Sequence, residues 1–120
     1  MDYARHIERI CKIEDIEIQI YTGAGRGDRR RRRIKIKPVR GPVSYAIALH
    51  EIGHVLGPRQ TGLRLDQEVG AWEWAMQNAL EWTEAMTECR IRCLRSYLDK
   101  ATSSSKWKTP TDDHPIHSLL

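Results

Sequence analysis

Three residues in this 120-residue chain have the types and spacing to do chemistry together: His50, Glu51 and His54, in the run Leu49-His50-Glu51-Ile52-Gly53-His54. This is an H-E-x-x-H pattern. On a helix, residues four apart stand one above the other on the same face. Two imidazoles so placed can bind one Zn²⁺, each at about 2.0–2.1 Å. Glu51 lies beside them and is placed to take a proton from a water activated by the metal. The spacing therefore predicts a metallopeptidase-type centre on a helix.

The surroundings suit that helix. Positions 45–49 and 52–56 carry no charge outside the motif itself. An extra charge there would compete for the metal or lie desolvated. Gly41-Pro42 and Ser44 offer a start, with Ser44 as N-cap. Gly57-Pro58 offers a stop. Gly53, inside the helix, costs about 1 kcal/mol relative to alanine, which implies close approach of a neighbouring element.

A catalytic zinc site needs a third protein ligand and an open position. The pattern H-E-x-x-H-x-x-G-x-x-H is followed as far as Gly57, but its last position holds Gln60, a poor ligand. The better candidate is Glu68, in Asp66-Gln67-Glu68-Val69-Gly70-Ala71-Trp72-Glu73. With Asp66 as N-cap, Glu68 shares a helical face with Ala71, Trp72, Ala75 and Ala79. That face is mostly small and allows tight packing on the zinc helix. Glu73 lies roughly 140° around the axis and faces solvent.

Together, H-E-x-G-H (His50, Glu51, Gly53, His54) and the later E-x-x-A-x-x-(aromatic)-A (Glu68, Ala71, Trp74, Ala75) resemble the ImmA/IrrE type of intracellular metallopeptidase. The resemblance covers roughly residues 43–76, over a quarter of the chain. It implies a gluzincin-like fold, Glu68 as third ligand and a protein substrate, often a transcriptional repressor.

The elements that must position these residues are few. The length is that of one domain with one core. The chain contains no Phe, so Ile, Leu, Val and four Trp must fill that core. Asp2 is placed to cap a first helix with Ile7, Ile10 and Cys11 inward. Ile16, Ile18 and Ile20 alternate with polar residues as a strand does, and so do Ile34 and Ile36. The Gly23–Asp28 stretch reads as loop. A last helical pattern runs from Glu81 to Lys100 with Trp82, Met86, Cys89, Cys93 and Tyr97 on one face. The expected class is α+β: a minimal zincin-like domain over residues 1–102, with an N-terminal helix, a small antiparallel sheet or hairpin, a zinc helix, a glutamate helix and a C-terminal helix. A polar tail with little order is expected over 103–120. His114 and His117 in that tail read as surface histidines.

No run of 18 apolar residues is present, so no membrane span is expected. Three cysteines, an odd and sparse set, suit a reducing cytoplasm. Cys89 and Cys93 read as small core residues.

Residues 26–40 hold nine basic residues and one acid, while the rest of the chain is net acidic. Three readings of Arg29, Arg30, Arg31, Arg32 and Arg33 stand open: phosphate contacts to nucleic acid, steering of an acidic substrate toward the cleft, or a solvated hairpin tip that guards a sheet edge. The sequence thus predicts a zinc endopeptidase with a protein or peptide substrate. The alternative is a non-catalytic zincin-like module that binds nucleic acid or an acidic protein through its basic hairpin. Tyr45, Arg64, Tyr97 and the tail histidines are the candidates to stabilise an oxyanion.

Overall fold

The structure is a computed structural model that describes residues 2–120. Its elements in chain order are α1 (Tyr3–Ile13), β1 (Glu17–Ile20), β2 (Arg26–Asp28), β3 (Arg33–Ile36), α2 (Pro42–Leu56), α3 (Arg64–Asn78), α4 (Glu84–Ser103) and a short 3-10 turn (Pro115–Leu119). The class is α+β: four helices and a three-stranded mixed sheet in the order β1-β3-β2.

Helix α2 is the axis of the molecule. Tyr45, Ala46, Ala48, Leu49 and Ile52 are fully buried, so apolar contact surrounds the helix rather than striping it. The sheet covers one side through Ile34 and Ile36, α1 adds Ile7 and Cys11, and α3 and α4 close the other with Val69, Trp72, Ala75, Met86, Cys89 and Leu94. Burial of this kind stabilises by about 25 cal/mol for each Å² of apolar surface removed from water.

Several boundaries differ from those expected. Helix α2 begins with Gly41 as N-cap and Pro42 in its first turn. Ser44 sits at the third helical position, where its hydroxyl accepts from the Gly41 N–H at 3.1 Å. Helix α3 likewise starts two residues before Asp66, which reaches back to the Leu63 N–H at 3.2 Å. In both cases a side chain one turn into the helix satisfies a donor that precedes it. Asp2 does cap α1, accepting from the Arg5 N–H. Helix α4 is separate from α3 and is capped by Thr83.

The sheet departs from the expected antiparallel pair. Strands β1 and β3, which carry the isoleucine alternation, run parallel, with Ile18 opposite Ile34. The antiparallel hairpin is β2–β3, and β2 lies in the stretch expected to be loop. Arg26-Gly27-Asp28 has no apolar side chain, so periodicity could not mark it. The hairpin loop is made by Asp28, which accepts from the Arg31 N–H at 3.0 Å, and by Arg32, which takes a left-handed conformation (φ 51°).

The segment after Ser103 is also not the free tail expected. Ile116 is fully buried, and the Leu119 carbonyl accepts from Arg90 at 3.0 Å. Ile116, with Trp107, Leu119 and Leu120 packed beside it against the core, anchors the segment, and apolar residues so irregularly spaced give no periodic signal. Among the described residues, no helix is long and apolar enough to cross a membrane.

Candidate metal centre

His50 and His54 project from one face of α2, and Glu68 reaches them from the second turn of α3. His50 Nε2 lies 3.0 Å from Glu68 Oε1, His54 Nε2 lies 2.8 Å from Glu68 Oε2, and the two Nε2 atoms are 3.2 Å apart. Four ligands at about 2.0–2.1 Å from a tetrahedral ion would stand about 3.3 Å from one another. The observed separations are within a few tenths of an ångström of that spacing.

Packing explains why α3 comes close enough. Gly53 faces the backbone of Ala71, and a Cβ on Gly53 would collide with Ala71 O and Cα. Of the face expected on α3, Ala71, Trp72 and Ala75 are fully buried, while Ala79 lies half-buried at the C-cap beyond the helix. Trp72 also stacks on His50, with ring centroids 4.5 Å apart and 24° between planes. Glu73 points away and pairs with Arg59 at 2.6 Å.

Gln60, set aside as a ligand, has another part. Its amide nitrogen donates to Pro58 O and Gln67 O, each at 2.9 Å. Its oxygen must therefore face His54 Nδ1, 3.0 Å away. The neutral imidazole then carries its proton on Nδ1 and turns the Nε2 lone pair toward Glu68 and His50. The loop Pro58–Gly62, which forms these contacts, includes Arg59 in a left-handed conformation (φ 63°), a feature that residue types alone did not indicate.

The donor set fits a divalent cation. Glu68 Oε2 is buried and makes no well-directed hydrogen bond, although His54 Nε2 is close. A buried carboxylate oxygen without a partner is costly, and a cation between the three side chains would satisfy it. Burial alone would raise the Glu68 carboxyl, but the imidazoles of His50 and His54 beside it outweigh burial and hold the group down at about 2. For His54, burial works against the charged form, yet the Glu68 contact and the Gln60 contact raise its pKa above the ordinary 6.5.

Glu51 is the third buried polar residue, 5 % exposed. Burial pushes its carboxyl up, against the opposing effect of His50 and His54. Gly25 and Gly27 let the start of β2 lie directly on it. A Cβ at Gly25 would strike the Glu51 carboxylate, and one at Gly27 would strike the Glu51 carbonyl and His54 Cβ. The edge strand β2 therefore runs along the rim of the site.

His50, Glu51 and His54 open into a cleft of about 640 Å³ that also takes in Arg26, Arg29, Lys35, Arg64 and Tyr97. Of the oxyanion candidates, Arg64 and Tyr97 line this cleft, with the Arg64 guanidinium donating to the Tyr97 hydroxyl at 3.2 Å. Tyr45 is elsewhere: its hydroxyl pairs with His6 and accepts from the Leu80 N–H. His114 pairs with Asp66 at 2.6 Å, and His117 with Thr111 O. The arginine run is divided. Arg29 donates to Gly57 O, Arg32 to Glu14 O, and Arg33 pairs with Glu17, while Arg30 and Arg31 are exposed.

No family model matches the sequence, and no curated protein or solved structure gave a match. The geometry of the site thus carries the functional argument.

Proposed function

We propose that this chain is a zinc-dependent endopeptidase acting on a protein substrate, of the kind that the ImmA/IrrE-like motif suggests. The observation that carries the reading is the convergence of His50, His54 and Glu68, whose ligand atoms all lie within 4.8 Å of one another, with Glu51 beside them in an open cleft. Zinc held by those three side chains would supply Lewis-acid chemistry, bringing the pKa of water toward about 7 and polarising the scissile carbonyl.

The chain's own residues supply the rest. Glu51 takes a proton from the attacking water and returns it to the leaving amine. Its buried setting raises the carboxyl toward the operating pH, which favours such shuttling. Arg64 and Tyr97, which line the same cleft, are the donors assigned to the negative charge that develops on the carbonyl oxygen. Burial raises the Tyr97 hydroxyl, so it stays protonated at neutral pH and able to donate. Strand β2 offers an extended peptide a free edge beside the site. Three free cysteines suit a reducing compartment such as the cytoplasm.

The test is cleavage of a peptide pool by zinc-loaded protein and by its Glu51→Gln variant. The reading predicts that the variant binds metal as the wild type does and cleaves about 10²-fold more slowly or worse, the usual scale for a positioned base. Equal rates in the two, or no cleavage by either at full zinc occupancy, would refute it.

A further inference from the structure

Strands β2 and β3 place Arg26 and Lys35 directly opposite one another. Like charges in that position repel and destabilise an antiparallel pair. The neighbours relieve the repulsion only in part: Asp28, two residues along on the same face of β2, feels the charge of Arg26 but forms no ion pair with it. On the other side of Lys35 the register partner is Gln19, which is neutral. Glu17 on β1 is taken by Arg33 at 2.9 Å. Asp28, the nearest acid on β2, is engaged by the Arg31 N–H in the hairpin loop. Among the described residues, neither Arg26 nor Lys35 has a carboxylate within 4.0 Å. Instead the Lys35 ammonium stands 5.5 Å from the centre of the Tyr21 ring, a contact that steadies a cation without neutralising it.

Both residues line the same cleft as His50, Glu51 and His54. Their place there follows from Gly25 and Gly27, which flank Arg26 and let the β2 backbone rest on Glu51. Arg29 and Arg64 add to the same field. The only acids in the lining are Asp28, already engaged, and Glu51, which the proposed chemistry uses. Two cations without an ion-pair partner, on adjacent strands beside the reacting groups, form a ready receptor for an anion.

We infer that Arg26 and Lys35 form a substrate subsite for an acidic side chain, so that the preferred substrate is an acidic peptide, with Asp or Glu close to the bond that is cut. This rests on the peptidase reading above and names its substrate class. A carboxylate seated between the two cations would remove their mutual repulsion as well as adding its own attraction, and so gives more discrimination than one exposed ion pair.

Two measurements separate this inference from the reading beneath it. The first is binding of fluorescent peptides, matched in length and either Glu-rich, neutral or Lys-rich, to the metal-loaded Glu51→Gln protein, which reports recognition without turnover. The Glu-rich peptide should bind roughly tenfold or more tightly than the neutral one, a preference that shrinks as salt rises. The double variant Arg26→Glu/Lys35→Glu should reverse the order of the Glu-rich and Lys-rich peptides, and Arg26→Lys/Lys35→Arg should keep it. Metal content of each variant guards against misfolding. The second measurement is the ratio of cleavage rates for the same peptides by protein with Glu51 intact, which should move in step. Equal binding of all three peptides, or a preference untouched by charge reversal, overturns the subsite even if cleavage occurs. Binding that follows the expected order without any cleavage overturns the peptidase reading and leaves the subsite standing. A single-stranded oligonucleotide bound more tightly than the Glu-rich peptide, with the same dependence on Arg26 and Lys35, would assign the pair to nucleic acid and overturn the inference.

Discussion

At the scale of single residues, the site depends on which nitrogen of His54 carries the proton. Gln60 decides this, because its amide nitrogen is fixed by two backbone carbonyls and only its oxygen is free to accept from His54 Nδ1. Such outer contacts commonly contribute 10–100-fold to metal affinity. Gln60→Leu keeps the approximate size of the side chain and deletes the acceptor. It should weaken zinc binding by about that factor in a chelator competition, while circular dichroism stays unchanged. Unaltered affinity would show that the Nε2 lone pair needs no such support. The motif residues themselves were legible in the sequence because H-E-x-x-H makes sense only on a helix. Glu68 was legible because its face of α3 is small. The work of Gln60 was not, since a loop with a left-handed residue at Arg59 leaves no periodic trace.

At the scale of elements, the contact between α2 and α3 sets the reach of Glu68. Gly53 makes that contact, and two effects compete on its replacement by alanine. Helix propensity favours alanine by about 1 kcal/mol. Against this, the new methyl would meet backbone atoms of Ala71, which cannot turn aside as a side chain could. Overpacking against a rigid neighbour costs about 1–3 kcal/mol, so Gly53→Ala should lower the Tm of the metal-free protein and displace Glu68 from the histidines. A variant with higher Tm and unchanged zinc affinity would mean that the helices separate without harm. The helices were readable from their apolar spacing and stop signals. The sheet was only half readable: alternation found β1 and β3 but not their parallel pairing, and β2 has no apolar residue at all. Its position is set by glycines whose partner surface, the backbone of Glu51, lies far along the chain.

At the scale of the whole molecule, the ionisation of Glu68, His54 and Glu51 contributes to how the stability of the metal-free protein varies with pH. Glu68 is held at about 2 against an ordinary 4.5, so its contribution is complete above about 4.5 and is lost as pH falls toward 2. His54 is raised above 6.5, so its contribution is complete below 6.5 and is lost as pH rises through the raised value. Glu51, also raised, adds a loss that begins as pH climbs past its ordinary 4.5. Metal-free protein should therefore be most stable near pH 4.5, losing stability on either side. Bound zinc would reverse the trend, because it needs both imidazoles unprotonated. Thermal scans with and without a chelator should give Tm curves of opposite slope between pH 6 and 8, and parallel curves would contradict the assignment. At this scale the sequence was least informative for residues 104–120. Buried Ile116, the half-buried Trp107, Leu119 and Leu120, the His114–Asp66 pair and the Arg90–Leu119 bond tie that segment to α3 and α4, and none leaves a periodic pattern.

The account rests on three side chains from two helices gripping one divalent ion. The most direct test is zinc stoichiometry, measured by elemental analysis after dialysis, for the wild type, Glu51→Gln and Glu68→Ala. One ion per chain is expected in the first two and well under one in the third. Full occupancy in Glu68→Ala, or none in the wild type, would contradict it.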